Sequence, residues 1–203
     1  MNLPNKLTLL RILLVPVFVL CMDTLFPGHF LAALIVFAAA SVTDALDGKI
    51  ARKYNLITTF GKFADPLADK ILVLAAFVTM QTLNTQLVEL FGRSLSIHVT
   101  DVVVIIVAAR EFMVSGLRLV TAEKGVVVAA GIWGKLKTAF TMVTQVLILA
   151  YLTVLEFSGY ALSGTVMRVM SWVFLVLVWV SVALTVISGA VYLKGYWKYM
   201  ELK

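Results

Sequence analysis

The run 169-VMSWVFLVLVWVSVALTVISGAVYL-193 contains no charged residue and is bounded by Arg168 and Lys194. A helix that crosses a bilayer needs about 20 mostly apolar residues, because it must span a hydrocarbon layer about 30 Å thick. It also satisfies its own backbone hydrogen bonds there, which loops and open strands do not. The run therefore predicts a membrane-spanning helix. Composition extends that reading to the whole chain: of 203 residues, 62% are hydrophobic and 14% charged, and mean hydropathy is +1.01. A soluble domain is about 45–50% apolar and about 25% charged. So large an apolar excess does not fit inside one water-soluble core.

Two more runs, 138–155 and 71–88, are nearly as long. Three others carry charge: 7–22 holds Arg11, 30–43 stops at Asp44, and 102–120 holds Arg110, Glu111 and Arg118. The pattern predicts an all-α integral membrane protein of about six transmembrane helices in one domain over residues 1–203. The opening MNLPNKLTLLR reads as a short interfacial segment, with Asn5, Thr8 and Arg11 on one helical face. A secretory signal is not expected, since the first run lacks a small-x-small cleavage site and Pro16 interrupts it. Cys21, the single cysteine, has no internal disulfide partner. With the N-terminus inside, 15 of the 17 basic residues fall on one face and only Arg93 and Arg168 on the other. That asymmetry predicts cytoplasmic termini and accounts for the net charge of +6 without a nucleic-acid partner. Locally, the second span is expected to descend to Asp44 and Asp47 before Gly48. Ala64-Asp65-Pro66 is expected to open the third span, and Thr100 or Asp101 to cap the fourth.

The charges concentrate in 44-DALDGKIARKYNLITTFGKFADPLADK-70, which has four aspartates and five basic residues. On a helix, Asp44 and Asp47 lie about 60° apart, and Asp65 and Asp69 about 40° apart. Each pair thus projects from one face. If the two helices are antiparallel neighbours, the four carboxylates converge and repel unless cations lie between them. Oxygen ligands without His or Cys favour Mg²⁺ or Mn²⁺, or Ca²⁺, over Zn²⁺. Two such ions about 4 Å apart form a clamp for attack at phosphorus. Gly48 and Gly61 leave space for a phosphate or base to approach the backbone. The plainer alternative is an interfacial charge network with Lys49, Arg52, Lys62 and Lys70.

The spacing Asp44-x2-Asp47-Gly48-x2-Ala51-Arg52-x8-Gly61-x3-Asp65-x3-Asp69 resembles, at every fixed position, the defining motif of the CDP-alcohol phosphatidyltransferase family. NLPNKLTLLRILLVPVF, AAREFMVSGLR and WGKLKT are similar to the branch of that family that uses glycerol 3-phosphate. The resemblance implies a six-helix membrane fold, a homodimer, and a polar cavity facing the cytoplasm of a bacterial inner membrane. It implies two Mg²⁺ or Mn²⁺ ions held by Asp44, Asp47, Asp65 and Asp69, with Asp69 also the general base. Asp44, Gly48, Ala51, Arg52 and Gly61 would bind the CDP of CDP-diacylglycerol.

A phosphorylated acceptor needs cations beyond the motif. Arg110 and Arg118, about 80° apart on the fourth helix, suit a phosphate because arginine presents a planar fork of donors. Ionisable groups inside an apolar segment are costly and point to function. An Arg110–Glu111 or Glu111–Arg118 pair is the structural alternative. Lys135 shares a face with Thr138 and is preferred over Lys137, which points elsewhere and is able to snorkel. Thr8 and Arg11 would close the cavity from the first helix. His29 and His98 fall on the external side, without a catalytic part. Serine, inositol phosphate or phosphatidylglycerol are competing acceptors. A divalent-cation transporter is the competing class, disfavoured by charges at one face and the lack of an internal repeat.

Overall fold

The computed structural model describes residues 2–23, 26–54, 59–91, 99–123 and 131–197; within them the side chains of 45–49, 51–53, 59, 60, 62, 63, 66, 69, 84–91, 122 and 123 lie outside the described set. Six helices make up these segments: α1 (Leu3–Asp23), α2 (His29–Lys53), α3 (Thr59–Phe91), α4 (Asp101–Glu123), α5 (Ile132–Phe157) and α6 (Gly164–Trp197). No strand occurs among the described residues. Three helices, α1, α5 and α6, are long and apolar enough to cross a membrane, and α2 and α3 contain shorter apolar stretches, His29–Asp44 and Lys70–Leu83. The apolar run of α4 is interrupted by Arg110, Glu111 and Arg118, which line a cavity.

The helix limits differ from the sequence expectation in three places. The N-terminal segment is no separate element; it forms the first turns of α1. α2 runs through Gly48 to Lys53, since one glycine costs a helix only about 1 kcal/mol. α3 begins at Thr59, so Asp65-Pro66 lies inside it instead of opening it. The turns ahead of the proline are held by contact with α1, including a Thr8–Asp65 bond. At about 1.5 Å per residue, the 34 residues of α6 are longer than a hydrocarbon layer about 30 Å thick.

α1 packs between α2 and α3, which touch each other far less; α2 also lies on α5, α5 on α6, and α6 on α4. The buried core includes Phe18, Phe37, Phe77, Met80, Leu149 and Val178, with the Phe18 and Phe37 rings 5.7 Å apart. Alanines 33, 40, 68 and 76 are buried as well, and small side chains allow close helix approach where lipid offers no hydrophobic drive. Leu13, Ile35, Val176 and Trp179 face outward, as suits lipid. Polar bonds add register: Gln145 Nε2 donates to the Val73 carbonyl at 3.0 Å, tying α5 to α3.

At the opposite end from the charges, the last turn of α5 caps α2. Glu156 Oε1 accepts from the backbone N–H of Gly28 (2.6 Å) and His29 (3.3 Å), and Oε2 from that of Phe30 (3.2 Å). Gly28 sits at φ 82°, a turn that favours glycine. A carboxylate on free helix N–H groups meets the positive end of the helix dipole. Glu156→Ala is expected to remove about 1–3 kcal/mol of stability, read as a lower thermal midpoint in detergent, with Glu156→Gln intermediate because it keeps an acceptor oxygen. His29 is buried and places Nδ1 3.2 Å from the Cys21 carbonyl, a structural position. His98 lies outside the described residues.

Candidate active site

The acidic side of the site is assembled by α1. Asn5, Thr8 and Arg11, three residues apart, are all buried on its inner face. Arg11, fully buried, brings Nη1 to 2.8 Å from Asp44 Oδ1 and donates from Nε to the Ala40 carbonyl at 3.3 Å. The Thr8 hydroxyl donates to Asp65 Oδ1 at 2.5 Å, with the Pro4 carbonyl 3.1 Å away as a second acceptor. One helix face thus holds one carboxylate from α2 and one from α3. Thr8 and Arg11, expected to close an acceptor-phosphate site, instead hold these aspartates from behind, because α1 is wedged between the two acidic helices. Asp44 keeps 38% of its side chain exposed.

Asp44 and Asp65 open onto one cavity of about 620 Å³, within the size range of small-molecule sites. The α2 and α3 backbones are helical through 44–47 and 65–69. The side chains of Asp47, Gly48, Ala51, Arg52 and Asp69 lie outside the described residues; Gly61 is buried in the opening turns of α3.

From α4 and α5 the same cavity is lined by Arg110, Arg118 and Lys135, and α3 adds Lys70. Arg110 Nη2 donates to Ser188 Oγ at 2.5 Å, and its Nη1 lies 3.2 Å from Glu111 Oε1. Its Nε has no hydrogen-bond partner among the described residues. Glu111 also takes a close contact from Lys137 Nζ. Both Glu111 and Lys137 are buried, so a single carboxylate serves two cations. Lys137 therefore does not snorkel: it turns inward to neutralise Glu111, which is cheaper than burying either charge alone. Arg118 donates from Nη2 to the Tyr192 hydroxyl at 2.8 Å, so Glu111 takes Arg110 and not Arg118 as its arginine partner. Lys135 is exposed and faces the cavity.

Sequence reading missed the contribution of α6. Ser188, Gly189 and Tyr192 pack against Arg110 and Arg118, and Gly134 faces Tyr192 from α5. A Cβ on Gly134 would come within 3.1 Å of the Tyr192 hydroxyl, and one on Gly189 within 3.1 Å of Arg110 Cγ. A signal was present: Ser181, Thr185, Ser188 and Tyr192 recur at three- to four-residue spacing inside an apolar run, and all are buried.

The arrangement brings to one cavity the carboxylates Asp44 and Asp65 of α2 and α3 and the cationic groups of α4 and α5, with Glu111 and Lys70 also in its lining. A divalent cation fits the two aspartates by donor chemistry, since hard oxygens are what Mg²⁺ and Mn²⁺ take. Among the described residues no cluster of three potential ligands forms; two of the four motif carboxylates are within that set. An anionic group fits the arginine donors.

The sequence model of the CDP-alcohol phosphatidyltransferase family matches residues 1–187. The chain belongs to this family. A Bacillus subtilis (strain 168) relative named CDP-diacylglycerol–glycerol-3-phosphate 3-phosphatidyltransferase is 38% identical, covering 98% of this chain and 97% of its own length. A relative of the same name from Rickettsia bellii is 35% identical, over 98% of this chain and 97% of its own. A Mycobacterium tuberculosis relative, named as a probable phosphatidylglycerophosphate synthase, is 42% identical over 68% of this chain and 60% of its own length. Membership of a phosphatidyltransferase family speaks against a divalent-cation transporter. CDP-alcohol phosphatidyltransferases are generally dependent on a divalent metal, in keeping with the aspartates of the cavity.

Proposed function

We propose that the protein transfers the phosphatidyl group of CDP-diacylglycerol to the sn-1 hydroxyl of glycerol 3-phosphate, releasing CMP and forming phosphatidylglycerophosphate. The observation that carries this reading is the single cavity lined by Asp44 and Asp65 and by Arg110, Arg118 and Lys135. A diphosphate donor and a phosphorylated acceptor need those two kinds of group.

In this reading Asp44, Asp47, Asp65 and Asp69 hold two Mg²⁺ or Mn²⁺ ions. When bound, such a pair supplies charge neutralisation for the diphosphate and for the departing CMP. Gly48, Ala51, Arg52 and Gly61 line the CDP pocket with Asp44. Arg110, Arg118 and Lys135 receive the phosphate of the acceptor and point its hydroxyl at the phosphorus bearing diacylglycerol. The new P–O bond forms as the bond to CMP breaks, and Asp69 takes the hydroxyl proton. Thr8 and Arg11 orient Asp65 and Asp44. Lys137 shares Glu111 with Arg110, so less of the Arg110 charge is taken up by that carboxylate. The acyl chains stay in the bilayer while the headgroup reacts at its edge.

Six spans, cytoplasmic termini, a cytoplasm-facing cavity in a bacterial inner membrane and a homodimer complete the proposal. The distribution of basic residues supports the orientation. Purified protein given CDP-diacylglycerol and, separately, glycerol 3-phosphate, inositol phosphate, serine or phosphatidylglycerol is expected to release CMP with glycerol 3-phosphate. Serine and phosphatidylglycerol leave Arg110, Arg118 and Lys135 with less to do. Inositol phosphate matches its charge equally well, and only similarity to the named relatives separates the two. Release with inositol phosphate and not glycerol 3-phosphate would overturn the assignment.

A further inference from the structure

We infer that Tyr192 is a positioning residue that sets the separation and direction of Arg110 and Arg118 for the acceptor phosphate; the inference rests on the proposed reading of these arginines. α4 by itself does not make them converge. They stand eight residues apart, about 12 Å along the axis and about 80° around it. What brings them together is a ring on α6. The guanidinium carbons of Arg110 and Arg118 lie 5.7 Å and 5.1 Å from the Tyr192 ring centroid, within cation–π range. The Tyr192 hydroxyl accepts the 2.8 Å hydrogen bond from Arg118.

The ring is itself held. It is 6% exposed and stacks on Tyr196 with centroids 6.2 Å apart and planes inclined by 16°. Gly134 and Gly189 supply the clearance, since a side chain at either would displace the ring or the Arg110 stem by the 3.1 Å contacts already noted. The chemistry of the choice is informative. A carboxylate at this position would gather two arginines more strongly, yet it would neutralise them and compete with the incoming phosphate. A tyrosine ring attracts both cations through its quadrupole and leaves their charge unspent. Glu111 already occupies part of Arg110; Arg118 has this neutral hydroxyl as its partner. The geometry therefore favours an acceptor carrying a compact dianionic phosphate.

The test is steady-state CMP release by full-length protein in mixed micelles, varying glycerol 3-phosphate and CDP-diacylglycerol separately, for wild type, Tyr192→Phe, Tyr192→Leu and Arg118→Ala. Tyr192→Phe is expected to raise KM for glycerol 3-phosphate about fivefold, the loss of one hydrogen bond. Tyr192→Leu is expected to raise it about 20-fold, ring contacts included. KM for CDP-diacylglycerol should stay unchanged, and competitive inhibition by inorganic phosphate should weaken in step. Tyr192→Phe keeps the ring and its packing, so it serves as the folded reference should the leucine variant fail to fold. Unchanged KM for glycerol 3-phosphate in Tyr192→Phe while Arg118→Ala raises it would overturn the inference and leave the arginine reading standing. A fall in kcat with both KM values unmoved would overturn it too, as packing alone. Unchanged KM in Arg118→Ala would overturn the arginine reading and the inference with it.

Discussion

Replacing Asp69 by Asn is expected to lower CMP release by about 10²–10⁴-fold, the usual contribution of a positioned general base, in protein that remains folded. Asparagine keeps the shape of the side chain and removes both its basicity and its charge. In the proposed mechanism the proton leaves as the acceptor oxygen commits to phosphorus. Two parts of the effect are separable. If Asp69 acts mainly by holding a cation, raising Mn²⁺ recovers a large share of the rate; if it takes the proton, saturating metal leaves the loss in place. Stability supplies the control. Removing one of four like charges relieves repulsion in the metal-free protein. The thermal midpoint in chelator is therefore expected to hold or rise. Wild-type turnover in Asp69→Asn would remove the proposed chemistry.

The second large effect is on stability. Glu111→Gln is expected to cost about 3–5 kcal/mol, because it leaves the buried Arg110 and Lys137 without their shared counter-charge. The side chains concerned are at most 10% exposed, so solvent screens little of the loss. Adding Lys137→Met to Glu111→Gln removes one of the two stranded cations, and the double variant is expected to melt above the single one. A coupling of about 0.5–3 kcal/mol in the thermal-denaturation cycle is the expected size for residues in contact. Additive effects of the two substitutions would show that Lys137 does not depend on Glu111 and would reopen it as a cavity-facing group.

These residues show how far the sequence could be read. Asn5, Thr8 and Arg11 were placed on one face by their three-residue recurrence, and all three are buried together. Their partners were not legible. Aspartates 33 and 57 residues downstream of Arg11 and Thr8 became contacts only because α1 lies between α2 and α3. Arg110 and Arg118 were recognisable as charges out of place in an apolar helix. That Arg110 would meet Ser188, and Arg118 Tyr192, depended on α6 packing against α4. Lys137 illustrates the limit best. A lysine near a helix end extends equally well to headgroups or to a buried carboxylate, and its own neighbours in sequence do not choose between them.

Hydropathy and helical period are local properties, so the chain alone determined an all-helical architecture suited to a membrane and the pairing of acidic residues on two helices. Eight motif positions at set spacing were enough to indicate the family. Which cation meets which carboxylate, and which ring gathers two arginines, was decided by tertiary packing. Ion pairs and ring contacts act over a few ångströms, whereas Lys137 and Glu111 are 26 residues apart and Arg110 and Tyr192 are 82 apart along the chain, and only the helix arrangement brings them within reach.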